Sequence, residues 1–302
     1  MCSQVSQSHQ EMPNCQGGAA RDSWWIKGFG YFGDQNDRDG LEGYNSRTAG
    51  TMIAYDAPLG TNTRAGLGLG YAQSVINGNM YGDSTDVNSY QTTAYIGHER
   101  GPWFIRGSAS MGWNDYSSER PIVFPGVDRT ANAHYSGQDY TVLANTGYHI
   151  SAPQKFTVTP LASLQYSRVN IDGYTETDAG DIDLQVQPQG YDFVESGLGT
   201  KVERDFSYHG WMFVPEVHAE WLYELNNPAL DETAKFTAAV SPSFTTPGLK
   251  TDPDMFHMGA GLTVLSCACS TTKMSLEAGY DYYWTNDSYS VHEITMRFAD
   301  RF

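Results

Sequence analysis

Apolar and polar residues alternate with a period of two along much of this 302-residue chain, and this pattern constrains its fold more than any other feature. Residues 102–114 show it most clearly, because successive side chains of a strand point to opposite faces. One face would carry Trp103, Ile105, Gly107, Ala109, Met111 and Trp113, and the other Arg106, Ser108, Ser110 and Asn114. A tryptophan at each end of an apolar row is typical of a strand that crosses a bilayer between two aromatic girdles.

Two further windows separate apolar from charged residues in the same way. In 211–224, aromatic residues alternate with Glu216, Glu220 and Glu224, and in 272–284 they alternate with Glu277 and Asp281. Carboxylates buried in a soluble core would need partners, whereas a water-filled lumen would solvate them. The most continuous apolar run, 258–268, is far shorter than the roughly 20 residues that a membrane-spanning helix needs. The alternation therefore favours transmembrane strands.

Twelve segments carry this signature, and the connections between them support the count. Short turns, such as PLGTNT and RGP, alternate with longer acidic or Gly-rich stretches, such as 115–133 and 225–254. This alternation of short and long connections is typical of outer-membrane barrels, whose short turns lie in the periplasm and whose long loops lie outside the cell. A thirteenth candidate, 234–244, contains Pro242 and is assigned to an external loop. The sequence thus predicts an all-β fold, a twelve-stranded transmembrane antiparallel β-barrel with a polar lumen. Its strands are expected at 23–32, 44–56, 63–76, 87–99, 102–114, 134–150, 155–170, 190–206, 211–224, 255–267, 272–284 and 289–302.

The net charge, the spacing of the cysteines and the composition of residues 1–22 limit the classes of function that the chain could have. A net charge of -17 without clustered Lys and Arg disfavours a nucleic-acid partner. The spacing of Cys2, Cys15, Cys267 and Cys269 is not that of a zinc site, so we interpret them as inert thiols. Residues 1–22 lack the basic and apolar regions of a signal peptide. We expect 1–22 to be a linker or lumen-threading segment and 23–302 to be the barrel, with the export signal in a longer precursor.

Several segments, in order, resemble the autotransporter β-domain. These are SWWIKGFGYFG for the first strand, GYNSRTAGTMIAYDAPLGTNTRAGLGLGYAQS for the second and third, VNSYQTTAYIGHERGPWFIRGSASMGW for the fourth and fifth, and VTPLASLQY for the seventh. The resemblance covers 23–302. It implies a bacterial outer-membrane translocator or anchor that passes or displays an N-terminal passenger at the cell surface, without catalytic residues or cofactor. The implied partners are outer-membrane lipid, the barrel-assembly machinery and the passenger.

The last strand also resembles the signal that the barrel-assembly machinery reads. Its residues are the alternating Ile294, Met296 and Phe298 and the terminal Phe302. Asp300 departs from that pattern, because an apolar or aromatic residue is usual two positions before the end. The resemblance thus assigns an assembly signal to this strand.

Charged residues expected to face the lumen are the candidate site residues. They are Arg64, Arg106, Glu195, Lys201, Glu203, Glu216, Glu220, Glu277, Asp281 and Arg297. In one subset of the resembled family, acidic lumen residues help an asparagine to cleave the passenger, but 1–22 contains only Asn14. We therefore interpret these residues as paired or solvated charges. The glycines 66, 68 and 70 would leave room inside the barrel for a threaded segment or a neighbouring aromatic side chain.

Two other functions remain open from the sequence. A passive porin would share the barrel and its polar lumen. A barrel hydrolase would need a nucleophile and an acid beside one of His98, His134, His218 or His257, and spacing alone brings no such triad together. The acidic segment 34–40 lacks the ligand pattern of a calcium loop and is interpreted as an exposed turn. No metal site is predicted.

Overall fold

The computed structural model describes residues 22–38, 40–238, 241–248, 250, 252–266 and 273–301. Within these ranges, twelve antiparallel strands form a closed barrel in which each strand pairs with the next and the last pairs with the first. The predicted twelve-stranded antiparallel barrel is confirmed. The strands are β1 (Ser23–Gln35), β2 (Tyr44–Pro58), β3 (Thr63–Gly78), β4 (Ser84–Arg100), β5 (Trp103–Phe124), β6 (Val127–Tyr148), β7 (Phe156–Ile171), β8 (Gln189–Arg204), β9 (Trp211–Glu224), β10 (Asp254–Ser266), β11 (Lys273–Thr285) and β12 (Tyr289–Arg301).

The outer face of the barrel is apolar and bounded by aromatic rings. On β5, Trp103 is 58% exposed and Trp113 is 45% exposed, while the intervening Phe104 is buried on the opposite face. The same alternation runs along β9, where Trp211 and Trp221 point outward and Val214 and Leu222 point inward. Large exposed apolar side chains in two girdles define a membrane-facing surface. No helix within the described ranges is long and apolar enough to cross a membrane.

The chain enters and leaves the barrel at one rim. Ser23, the first residue of β1, lies in register with Arg301 at the end of β12 and with Asp56 on β2. The turns 59–62 and 101–102 lie at this same rim. We name it the periplasmic rim, because outer-membrane barrels have their short turns on the periplasmic side. The opposite rim is named the external rim.

One predicted external loop is instead a hairpin. The sequence places a loop at 115–133, but β5 continues to Phe124 and β6 begins at Val127. The two strands pair without interruption from Trp103 opposite Tyr148 to Phe124 opposite Val127. Only residues 125–126 connect the two strands, and Gly126 has a φ of +89° that favours glycine. The prediction was wrong here because the hairpin extends beyond Trp113, where no lipid demands apolar outward residues.

The prolines inside strands lie where the hydrogen-bond ladder is open on one side. The pairing of β7 with the preceding strand segment is interrupted within 158–161, which contains Pro160. The pairing of β9 on the β8 side is likewise interrupted within 213–216, which contains Pro215. Because proline has no N–H to donate, these gaps accommodate it without a lost hydrogen bond.

A second, four-stranded sheet is formed by the external loops. Its pairing order joins segments from the loop after β7 and the loop after β9, so the described residues of the candidate strand at 234–244 lie outside the barrel, as expected. The sheet is tied to the β5–β6 hairpin by Arg120, whose Nε donates to Oε1 of Glu176 over 2.9 Å. Its strands are Tyr174–Thr175, Leu184–Val186, Glu232–Phe236 and Phe244–Thr246.

Candidate functional site

The candidate site is the inner face of the barrel. The structure places all ten charged residues that the sequence assigns to the lumen on this face: Arg64 on β3, Arg106 on β5, Glu195, Lys201 and Glu203 on β8, Glu216 and Glu220 on β9, Glu277 and Asp281 on β11, and Arg297 on β12. Glu195 lies in register with Glu224, near the external rim. Most of the other nine are gathered into separate ionic groups.

Lys201 anchors the group on β8 and β9. Its Nζ lies 2.7 Å from an oxygen of Glu203 and 3.4 Å from an oxygen of Glu216. All three side chains are largely shielded from solvent, with exposed fractions of 13%, 9% and 12%. Partly buried charges of opposite sign at these separations stabilise one another more than exposed pairs do. This group therefore fixes the side chains along the wall.

Two further predicted cations, Arg297 and Arg106, each contact a carboxylate on a neighbouring strand. Arg297 Nη1 donates to Glu277 over 3.1 Å, which joins two residues of the predicted set. Arg106 Nη2 lies 3.3 Å from Glu99, a carboxylate that the sequence reasoning did not include. Each pair joins adjacent strands.

Lys27 and Glu293 form an inner-face pair that the sequence analysis missed. Their charged atoms lie 3.8 Å apart, and both residues are buried, with Glu293 only 1% exposed. The alternation in the first strand contained the signal, because Trp24 and Ile26 point outward and so Lys27 must point inward.

A packed polar cluster closes the inner face near the periplasmic rim. Trp25 Nε1 donates to the hydroxyl of Tyr95 over 2.8 Å, and that hydroxyl donates to Asp56 over 3.1 Å. Asp56 also accepts a hydrogen bond from Arg64. In the register of the sheet, Gly66 lies between Asp56 and Tyr95. A Cβ atom at Gly66 would come within 2.4 Å of the Tyr95 ring. Of the two uses proposed for this glycine, the structure shows space for a neighbouring aromatic side chain.

A second cluster joins His218, His257 and Asp281 on three consecutive strands. Oδ1 of Asp281 lies 2.8 Å from Nε2 of His218 and 2.9 Å from Nε2 of His257, and the two Nε2 atoms are 3.3 Å apart. The ring of His257 stacks on Tyr283 with centroids 4.1 Å apart. Within the described part of the chain, this is the group of histidine, cysteine and acidic side chains whose ligand atoms converge closely enough to hold a metal ion.

Register creates this second cluster. His218 on β9 lies opposite Gly259 on β10, and Gly259 lies opposite Asp281 on β11. A Cβ atom at Gly259 would come within 2.2 Å of Asp281 and 2.5 Å of His218, so only glycine lets the two side chains meet there. His257 approaches from two residues earlier on β10. The sequence reasoning named both histidines but had no register with which to join them.

The other two hydrolase candidates lie elsewhere. His98 is exposed and its Nδ1 lies 2.8 Å from the hydroxyl of Thr63, and His134 is exposed beside Ser117 on the external hairpin. The segment 34–40 begins inside β1, which extends through Gln35, and its residue 39 lies outside the described residues. Cys2, Cys15, Cys267, Cys269 and Phe302 also lie outside them.

The chain is similar in sequence to outer membrane proteins of Rickettsia. The chain is similar to Outer membrane protein B of Rickettsia rickettsii, with 26% identity over 282 residues. The match covers 90% of this chain but only 17% of the relative, so the chain spans about a sixth of that protein's length.

Solved structures share the fold. The translocator domain of autotransporter NalP from Neisseria meningitidis superposes with a TM-score of 0.70 at 17% identity, covering 94% of this chain and 90% of that one. The β domain of the Bordetella autotransporter Brka superposes with a TM-score of 0.65 at 16% identity, covering 93% and 99%. The sequence profile of the Autotransporter beta-domain matches residues 24–281. The chain therefore belongs to the autotransporter β-domain family and is a β-barrel of the bacterial outer membrane.

Proposed function

We propose that this barrel passes or displays an N-terminal passenger at the bacterial cell surface, and that it does so without a catalytic residue of its own. The observation that carries the proposal is the family match across 24–281. The geometry supports it, because Ser23 opens β1 at the periplasmic rim beside an inner face lined with charged and polar groups. A segment that precedes β1 thus begins at the mouth of a polar lumen.

The test fuses a reporter domain to residue 1 behind an export signal. Protease added to intact cells should remove the reporter, while a periplasmic marker in the same cells stays intact. A barrel that is inserted and folded but leaves a well-folded reporter protected contradicts the proposal. Large, steady conductance of the purified barrel in planar bilayers would then favour a porin.

We further propose that residues 1–22 form a linker that threads the lumen of the barrel at 23–302. Cys15 lies seven residue steps before Asp22, so it can reach at most about 25 Å from the rim. Ser110 lies seven residues into β5 on the inner face, roughly 18 Å from the same rim for a strand tilted by about 40°. A disulfide between Cys15 and a cysteine at position 110 would therefore require the linker to run through the lumen.

Cross-linking tests this linker path. In a background with Cys2, Cys267 and Cys269 replaced by serine, Ser110→Cys should form a disulfide with Cys15 under mild oxidation. Ala109→Cys is the matched control, because Ala109 lies at the same depth on the outer face. Equal cross-linking of both variants, or of neither, would contradict a threaded linker.

We also propose that the outer face of β12 contributes the signal for the barrel-assembly machinery. Ile294 and Met296 point outward with exposed fractions of 55% and 58%, and the ring of Phe298 lies 5.6 Å from that of Trp24. Deletion of Phe302 together with Met296→Asp should lower the amount of heat-modifiable folded barrel in cells. The inner-face variant Thr295→Ala should leave it unchanged, and equal loss in both would contradict the assignment.

A further inference from the structure

We propose that His218, His257 and Asp281 form a binding site for a divalent transition-metal ion of the Zn²⁺ class on the inner wall of the barrel. Two imidazole nitrogens and one carboxylate oxygen converge on one point from three neighbouring strands, β9, β10 and β11. This donor set suits Zn²⁺ and similar borderline ions, whereas Ca²⁺ and Mg²⁺ prefer oxygen ligands alone.

The separations between the three donor atoms fit a tetrahedral ion. Bonds of about 2.0 to 2.1 Å to a tetrahedral Zn²⁺ place neighbouring ligand atoms about 3.3 Å apart. The two Nε2 atoms are 3.3 Å apart, and each lies 2.8 or 2.9 Å from Oδ1 of Asp281. A movement of the carboxylate by less than about 0.5 Å would bring the three atoms to one face of the tetrahedron.

Outer carboxylates face the second nitrogen of each histidine. Oε2 of Glu220 lies 3.8 Å from Nδ1 of His257, and Oε1 of Glu216 lies 4.0 Å from Nδ1 of His218. A metal-bound histidine commonly directs its other ring N–H at a carboxylate, which orients the ring and raises its basicity. Here each ring has a carboxylate within 4.0 Å of its Nδ1 atom, which a small side-chain movement would bring to hydrogen-bond distance, and the stacked Tyr283 further fixes the plane of His257.

The site also has room for a fourth ligand. A cavity of about 40 Å³ adjoins it and is lined by His218, Asp281, Thr263 and Lys27, among others. A buried water molecule needs roughly 10 to 15 Å³ of such space, so a metal-bound water fits. Asp281 with Glu216 and Glu220 supplies negative charge around the ion. A bound ion would tie three consecutive strands together on the lumen side.

Zinc binding by the folded full chain is the direct test. The protein is prepared without a polyhistidine tag, stripped with chelator, and dialysed against Zn²⁺ before its metal content is measured. We expect close to one equivalent in the wild type and its loss in Asp281→Asn and in the double variant His218→Ala/His257→Ala. Glu220→Gln should weaken the affinity by about 10- to 100-fold. His98→Ala is the control, because His98 lies outside the barrel wall and away from the cluster.

A spectroscopic measurement on the wild type keeps the proposal testable even if the variants do not fold. X-ray absorption of the zinc-loaded wild type should show two imidazoles and one carboxylate among few ligands, and heat-modifiable migration in electrophoresis reports folding. Absence of zinc binding by the folded wild type, full retention in the folded double variant, or a different ligand set would overturn the proposal. In that case the cluster would serve only as a hydrogen-bonded group, in which the Asp281 carboxylate accepts hydrogen bonds from His218 and His257.

Discussion

Arginine at neighbouring positions of β5 should have opposite consequences, because the two positions face different solvents. Ala109 points toward lipid between Trp103 and Trp113, whereas Ser110 points toward the lumen. The ten residue steps from Trp103 to Trp113 extend about 34 Å along the strand, or about 26 Å across the membrane at a tilt of about 40°. Ala109 lies six residues from Trp103, which places it within about 3 Å of the middle of this band.

The expected cost follows from that depth. Arg at the midplane of the lipid face destabilises a barrel by about 2 to 4 kcal/mol, which lowers the folding equilibrium constant by about 30- to 1000-fold. For Ser110→Arg we expect a change below about 1 kcal/mol, because the lumen supplies water and carboxylates. Ala109→Leu controls for side-chain size and should be neutral or stabilising.

Reversible urea unfolding in lipid vesicles measures these free energies. The vesicles should hold the same lipid for every variant, since bilayer thickness sets the depth of each position. Equal costs for Ala109→Arg and Ser110→Arg would refute the inside–outside assignment, and a larger cost for Ser110→Arg would show that the register of β5 is shifted by one residue.

Three further outcomes test the external region and the inner wall. Glu176→Gln should weaken the contact with Arg120 and lower the local opening free energy of the external sheet by about 1 to 3 kcal/mol, seen as faster protease cleavage within 172–188 on intact cells. Beyond the membrane-spanning part of the strands, burial raises the pKa of Tyr135 to about 12 and raises that of Tyr174. An unfolded phenol titrates near pH 10, so the folded state holds these protons more tightly and their contribution to stability is full below about pH 10 and declines as the pH rises through 12. Phenolate absorbance should show the delayed ionisation, and Tyr174→Phe should reduce the decline. Gly66→Leu should lower stability by more than an outward substitution on the same strand, because its side chain would overlap an aromatic ring, and denaturant unfolding measures the difference.

The membrane-spanning strands were predictable because lipid imposes a composition on one face only. Between Trp103 and Trp113, every second residue must be compatible with hydrocarbon, which produces the period of two. Past Trp113, the outer face of the hairpin no longer meets lipid, so Asp115, Ser117 and Glu119 occupy it while the backbone pairing continues. The alternation of apolar and polar residues therefore ends before the strand does, and the sequence predicts a loop at 115–133 where the structure has paired strands.

The histidine cluster could not be predicted for a different reason. Its members are brought together by the register between β9 and β10, across a connection at 225–253 whose length does not determine the pairing. A slip of one residue would turn His257 outward and separate it from Asp281. The pairing of Lys27 with Glu293 required less, because alternation within a single strand already directs Lys27 inward.

The two inner-face clusters use one structural device. In each, a glycine on the middle strand lies in register with a polar side chain on either side: Gly66 between Asp56 and Tyr95, and Gly259 between His218 and Asp281. Because glycine has no Cβ, the flanking side chains cross the middle strand and meet above its backbone. They therefore satisfy one another along the wall instead of extending toward the barrel axis. This arrangement keeps the polar interior both hydrogen-bonded and recessed, as the proposed passage of a polypeptide would require, and a Cβ atom on the middle strand would prevent it.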